Sequence, residues 1–259
     1  MPIQFNDEQN KSTYTGRTAD ESWKKALISL TQPAGLRVAD VGCGGGIYSK
    51  AWLELGVSEV IGVDSSSIMI SAAQENCTGI LNASFHVGDA TKTGLLDSSV
   101  DCVFERALIH HLSEIRSSLQ EAIRILKPGG SLIIQDRTPD DISFAGSQEH
   151  IRGYFFECFP KLLEVELGRR RTTQAILSEL SAAGFENSET ITLWETRKVY
   201  SSMNDLSEDI RNRKGRSILH ELIDDEIESL ITYITERVTP IGLIEEKDRW
   251  TIWHGKKPL

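Results

Sequence analysis

Short apolar runs alternate with longer segments in which apolar residues recur every three or four positions. The runs are Leu36–Val41, Val60–Asp64, Ala83–Val87, Val100–Glu105 and Ser131–Gln135. Continuous runs of this length read as strands buried on both faces. The periodic segments between them predict helices at Thr18–Leu30, Ile47–Leu55, Ser66–Asn76 and Glu114–Leu126. Gly56 suits the position after the second helix, and serines are available to cap the third. Lys127-Pro128-Gly129-Gly130 stops the fourth. Strands alternating with helices predict a doubly wound α/β fold, a mostly parallel sheet covered on both faces with right-handed crossovers.

Beyond Asp136 the pattern loosens. Pro139–Arg171 mixes charges with aromatics. Thr172–Ala183 reads as a helix ending at Gly184, and Glu189–Thr196 alternates like a strand. Helices are predicted at Leu206–Arg213 and Ile218–Val238. The longer one carries a stripe of Leu219, Leu222, Ile223, Ile227, Leu230, Ile231 and Ile234, read as core packing or as a partner-binding face. Arg249–His254 is a last strand. No Pro/Gly/Ser-rich linker interrupts the chain, which predicts one domain over 1–259. Its parts are an N-terminal cap at 1–35, a ligand-binding core at 36–137, a lid at 139–171 and a helical insertion at 200–238.

Composition narrows the function classes. The chain has 259 residues, 39% hydrophobic and 25% charged, with a net charge of −10. An acidic chain lowers the expectation of nonspecific nucleic-acid binding, which wants a basic surface. No apolar run reaches the roughly 18 residues of a membrane span. The N-terminal stretch has no apolar core of signal type, so a cytoplasmic location is expected. The four cysteines are widely spaced, without CxxC or Cys/His clusters, so no metal is expected.

The chemistry concentrates at the end of the first strand, in Asp40-Val41-Gly42-Cys43-Gly44-Gly45-Gly46. Glycines between a strand and a helix permit positive φ and let a ligand lie against bare main chain. Amides at the helix start favour an anionic group, while Asp40 adds a negative charge. A ligand carrying both signs suits this turn, and S-adenosylmethionine is one. A dinucleotide fits less well. Its fingerprint would need a glycine at position 47, which is Ile47, and Asp40 would face a pyrophosphate.

Further acids end the next strands. Asp64 lies 22 residues after Gly42. It reads as an acceptor for a ribose diol or as a helix cap before Ser65-Ser66-Ser67. Met69, one turn on, suits packing on adenine or in the core. Gly88-Asp89-Ala90 follows the third strand, where Asp89 could accept from an adenine amino group and Ala90 leave room for the ring. A polar turn is the other reading.

VADVGCGGG, VIGVDSSSIM, VGDA, FERALIHHL and RILKPGGSLIIQD, in this order, resemble the class I S-adenosylmethionine-dependent methyltransferases of the small-molecule, type 11 kind. The resemblance covers residues 36–137. It implies a seven-stranded sheet with an antiparallel last strand, strands six and seven being Glu189–Thr196 and Arg249–His254. It implies that Asp40, Gly42, Gly44 and Gly46 hold the methionine part of the cofactor. Asp64 with Ser65 would hold the ribose, Met69, Asp89 and Ala90 the adenine. Glu105 and Arg106 would lie beside the methionine end. Tyr14, Gly16 and Arg17 would close over the cofactor, an arginine fork suiting its carboxylate. The insertion at 200–238 departs from the minimal fold.

Further candidates follow the fourth and fifth strands. His110 or His111 could be a general base for a hydroxyl or amine acceptor, or the pair could be structural. Asp136 could face the substrate or pair with Arg137. Tyr154, Phe155, Phe156 and Phe159 could wall a pocket or pack the lid. Arg169-Arg170-Arg171 reads as a solvated helix start or as an anchor for an acidic substrate. The expected activity is methyl transfer to a small molecule, with a noncatalytic binding protein and a nucleic-acid methyltransferase as rivals.

Overall fold

The computed structural model describes residues 18–259. The candidates Tyr14, Gly16 and Arg17 lie outside the described residues. The strands are β1 (Arg37–Val41), β2 (Glu59–Asp64), β3 (Ala83–Val87), β4 (Val100–Arg106), β5 (Leu126–Asp136), β6 (Glu186–Tyr200) and β7 (Ile244–Lys256). They form one sheet in the order β3-β2-β1-β4-β5-β7-β6. β1 to β5 run parallel, and β7 is antiparallel to both β5 and β6. This is the expected seven-stranded α/β architecture with its antiparallel last strand.

The strands alternate their side chains between two faces, as the pleat requires. On one face Val38, Phe104 and Ile133 pack under Trp23 and Leu27 of α1 (Glu21–Leu30) and Trp52 of α2 (Ile47–Glu54). α3 (Ser67–Asn76) lies against β2 and β3, capped by Ser66. On the other face Ala39, Val103 and Ile134 meet Leu119 of α4 (Arg116–Ile125) and Leu180 of α8 (Thr173–Ala183). Gly184, at φ 97°, ends α8 as predicted.

A third apolar core lies beyond the carboxyl end of the sheet. Its helices are α5 (Pro139–Ile142), α6 (Ile151–Cys158) and α7 (Pro160–Leu167) from the predicted lid, with α9 (Met203–Arg211) and α10 (Asp224–Thr235) from the insertion. Phe155, Leu162, Leu206, Leu219 and Leu230 are fully buried within it. The two segments, far apart in sequence, thus share one core. They rest on β6 and β7, which are longer than predicted and run on to Tyr200 and Ile244.

Two local expectations are corrected. Lys127–Gly130 does not precede the fifth strand but lies within it. Leu126 pairs with Val100 and Ser131 with Cys102, so the four residues between bulge out, with Gly129 at φ 74°. The helix expected over 218–238 is broken. A 3₁₀ turn at Ser217–Glu221 is followed by extended Leu222 and Ile223 before α10 begins. Glu226 accepts the Ile223 amide at 3.0 Å, and Asp224, Asp225 and Glu226 place negative charge at the new helix start. The apolar stripe is buried except for Ile223, which is 66% exposed. Among the described residues no helix is long and apolar enough to cross a membrane.

Candidate functional site

A cavity of about 400 Å³ opens at the carboxyl ends of β1, β2 and β4, where open α/β sheets bind ligands. The helical layer and the β6–β7 ribbon roof it. Its size is in the range of small-molecule sites.

The floor is the glycine turn. Gly42 and Gly44 both line the cavity. Gly44 sits at φ 51°, and a Cβ added there would meet no atom within 4 Å, so this stretch of main chain lies open to the cavity. Gly46 does not line it. A Cβ there would stand 3.1 Å from that of Ala73, so Gly46 serves the close approach of α2 to α3. Asp64 ties the first two crossovers together, accepting the Gly44 and Ser66 amides at 2.9 Å each. It lines the cavity with Ser65 and Met69. Asp40 is buried beneath them and accepts a hydrogen bond from Ser49 Oγ. Burial above all, with Asp64 nearby, pushes its carboxyl up to about 7.

The other cofactor candidates divide. Arg106 is in the wall, its guanidinium 4.0 Å from the Tyr48 ring and 4.1 Å from Trp250, and its Nη2 donates to Glu195 at 2.9 Å. Glu105 points elsewhere: it is buried, and its Oε2 has no hydrogen-bond partner among the described residues. Burial, reinforced by Asp136, pushes it up to about 7. Asp89 and Ala90 are not part of the cavity wall. Asp89 is exposed and accepts the Thr91 amide at 2.8 Å and hydroxyl at 2.6 Å, the polar-turn arrangement.

His110 and His111 both line the cavity, with ring centroids 4.0 Å apart. His110 Nδ1 lies 2.8 Å from Asp136 Oδ2. Burial lowers the His110 pKa against the pull of Asp136, and it lowers His111 to about 3. Burial opposes ionisation of Asp136, yet His110 and Arg170 hold its carboxyl well below the usual range. An ionised Asp136 only accepts, so Nδ1 of a neutral His110 carries the proton and Nε2 is left as a basic nitrogen. Asp136 therefore orients a histidine. Arg137 contributes only its amide to it, and pairs by its side chain with Asp248.

Most of the roof is what sequence reading missed: of it, only Arg170, in one of its two readings, and Phe155 were named as candidates. Arg137, Arg152, Arg170, Arg197 and Arg216 line it with Glu246, Asp248 and Trp250. Arg170 is not in a solvated helix start: its side chain is 2% exposed, bonded to Glu166 and Asp136. Arg171 donates to the carbonyls of Ile109 and Leu112, pinning the histidine turn. Phe155 both packs the helical core and lines the cavity, whereas Tyr154 and Phe156 only pack the core and Phe159 packs beside it. One signal was available in Ile244-Glu245-Glu246-Lys247-Asp248-Arg249-Trp250. Ile244, Glu246, Asp248 and Trp250 share the buried face of β7. Among the described residues no group of His, Cys, Asp and Glu could hold a metal, and the four cysteines are free thiols.

A family described as methyltransferase domain matches residues 39–134. Phosphoethanolamine N-methyltransferase 3 of Arabidopsis thaliana is 33% identical over 117 residues, 45% of this chain and 24% of that protein. The chain thus spans about a quarter of this relative's length. A solved putative methyltransferase from an antibiotic biosynthesis pathway of Anabaena variabilis is alike over 92% of this chain and 98% of that one, with a TM-score of 0.70 and 23% identity. Phosphoethanolamine N-methyltransferase 2 of Haemonchus contortus, solved in complex with S-adenosyl-L-methionine, is alike over 99% of this chain and 60% of that one, with a TM-score of 0.61 and 19% identity. At these identities the two structures speak to the fold.

Proposed function

We propose that this chain, which belongs to the class I S-adenosylmethionine-dependent methyltransferases, transfers a methyl group to a small-molecule acceptor inside the cavity. The observation that carries the reading is the open main chain at Gly44, flanked by the carboxylates of Asp40 and Asp64. Such a cradle suits a group that bears a carboxylate, an ammonium and a ribose diol. The cofactor supplies a methyl group already activated on a sulfonium.

In this reading the turn amides and Asp40 hold the methionine part, and Asp64 with Ser65 the ribose. Met69 packs on the adenine. Gly46, Glu105, Asp89 and Ala90 receive no direct contact. Their places outside the cavity wall support that division. His110, oriented by Asp136, takes the proton of an acceptor whose hydroxyl or amine must lose one. Arg106 closes the wall between the two ends, and the helical layer excludes water while the acceptor is aligned. We place this activity in the cytoplasm, on the strength of the free cysteines.

Calorimetric titration with S-adenosylmethionine and S-adenosylhomocysteine tests the binding half of the proposal. Formation of S-adenosylhomocysteine over a panel of small hydroxyl and amine acceptors tests the transfer. Binding of both with turnover of at least one acceptor is the expected result. Binding without turnover across the panel favours a noncatalytic binding protein. A folded chain that binds neither overturns the reading.

A further inference from the structure

The roof of the cavity concentrates cations in a chain whose net charge is −10. Six arginines line the cavity against four carboxylates, and two of those, Asp40 and Asp64, belong to the floor. The arginines are not equally engaged. Arg216 is spent on Asp209, Glu246 and Tyr200, and Arg197 on Tyr200, Glu246 and the Lys214 carbonyl. Arg170 forks onto Glu166 and also meets Asp136. These three are structural anchors of the roof.

Arg137 and Arg152 differ. Among the described residues the Arg137 side chain gives a single hydrogen bond, Nη2 to Asp248 at 2.6 Å. The Arg152 side chain also gives a single one, Nη2 to Glu166 at 2.8 Å. In both, Nε is buried without a partner among the described residues, as it is also in Arg216 and in Arg106, whose guanidinium is instead held against the Tyr48 and Trp250 rings. The Arg152 side chain is 9% exposed and that of Arg137 10%. Each thus holds most of its five donors unspent in a place with little water. Glu166, the partner of Arg152, is already claimed by Arg169 and Arg170. Burial and the nearby Arg152 and Arg170 lower the Arg137 pKa to about 10, against the pull of Asp248. Unspent guanidinium donors are therefore left over on this wall, although each lining arginine has a carboxylate partner.

We infer that Arg137 and Arg152 form an anion subsite that holds a carboxylate or phosphate group of the methyl acceptor. This rests on the proposal that the cavity binds cofactor and acceptor together. A guanidinium presents planar paired donors that match either anion. Trp250, whose ring lies 3.7 Å from the Arg137 guanidinium, fixes the plane of one fork. The Phe156 ring lies 5.4 Å from the other. The acceptor's anion would sit under the helical layer, and its nucleophilic atom would point back toward His110 and the glycine turn.

The test uses the full chain saturated with S-adenosylhomocysteine, titrated calorimetrically with inorganic phosphate and, separately, with acetate. At least one should bind at concentrations up to about ten millimolar. Phosphate alone assigns a phosphate monoester acceptor, and acetate alone a carboxylate. Arg137→Gln and Arg152→Gln should each weaken that binding about tenfold or more while leaving S-adenosylhomocysteine affinity unchanged. Arg152→Lys keeps a charge beside Glu166 but loses the fork, so it should also weaken the anion, and it stands in if the glutamine variant does not fold. If the demethylated cofactor binds normally but neither anion does, or if anion binding survives in every folded variant, the subsite is overturned and the methyltransferase reading stands. If the demethylated cofactor does not bind at all, both fall.

Discussion

Asp40 sits under the glycine turn with its carboxyl pushed up to about 7, chiefly by burial. Its ordinary value is 3.8. A raised carboxyl pKa favours the protonated folded state, so the ligand-free chain gives up stability at Asp40 as pH rises through the window between these values. A cation placed against Asp40 reverses the balance and expels the proton. S-adenosylhomocysteine keeps the ammonium, so its affinity should rise from about pH 6 to about pH 8 with proton release on binding. Calorimetry in buffers of different ionisation enthalpy measures that release, and Asp40→Asn should abolish it. A flat profile in the parent chain would remove Asp40 from contact with the ammonium. Asp64 makes a second residue-scale case. Asp64→Ala loses the acceptor of two amides and of the proposed diol. Binding should weaken about 10- to 100-fold, a loss of roughly 1.5–3 kcal/mol, with the fold retained by circular dichroism. Unchanged affinity would leave Asp64 as a turn brace only. Asp40, Gly42, Gly44, Asp64, Ser65, Met69, Arg106, His110 and His111 were legible in the sequence and do line the cavity. They sit at strand ends, where local spacing fixes position. Arg137, Arg152 and Arg216 were not, because their place depends on which distant segments meet.

At the scale of elements, the turn between β1 and α2 separates ligand space from packing. Gly44 and Gly46 both have positive φ, so a side chain at either strains the backbone by about 1–2 kcal/mol. Only at Gly46 would it also press on α3, through Ala73. Gly44→Val should therefore abolish S-adenosylhomocysteine binding with a small fall in melting temperature. Gly46→Ala should lower the melting temperature more and leave binding measurable. Equal effects on binding would show that the turn works only as a unit. Four of the five parallel strands were legible as largely apolar runs between clear stops, whereas β3, with Ser84 and His86 in it, is a half-exposed edge strand rather than one buried on both faces. The bulge at Lys127–Gly130 was not, since a Pro-Gly-Gly sequence reads as a turn whether or not its flanks stay paired. The break before α10 hid behind an apolar stripe that continues through Leu222 and Ile223, while the signal for a new helix start was the acidic Asp224-Asp225-Glu226. On β7 the inward face carries Glu246 and Asp248, which pair with Arg197, Arg216 and Arg137. A face of buried charges looks solvated to any reading based on hydrophobicity, which is why only the C-terminal half of this strand, the part paired with β5, was predicted.

At the scale of the whole molecule, the cover over the cavity is built from two stretches of chain that the sequence presented as separate, a lid at 139–171 and an insertion at 200–238. Their helices share one apolar core, with Phe155 of α6 and Leu230 of α10 both fully buried in it. Buried ion pairs fasten it further, Arg152 to Glu166 within the layer and Arg170 to Asp136 on the sheet. A lid that opened alone would expose half of that core to water, at about 25 cal/mol for each Å² of apolar surface. The expected motion is instead a joint opening of both segments away from the sheet, as one cooperative unit. Leu230→Ala tests this, since α10 touches α6 but Leu230 does not line the cavity. The cavity it leaves should cost about 2–5 kcal/mol. Hydrogen exchange should then quicken in Ile151–Leu167 as well as in Met203–Thr235, while β1, β2 and β4 keep their protection. S-adenosylhomocysteine should slow exchange in both segments, because closing the cover over a filled cavity favours the shut form. If the variant quickens exchange in the insertion alone, the lid is an independent flap resting on a fixed neighbour.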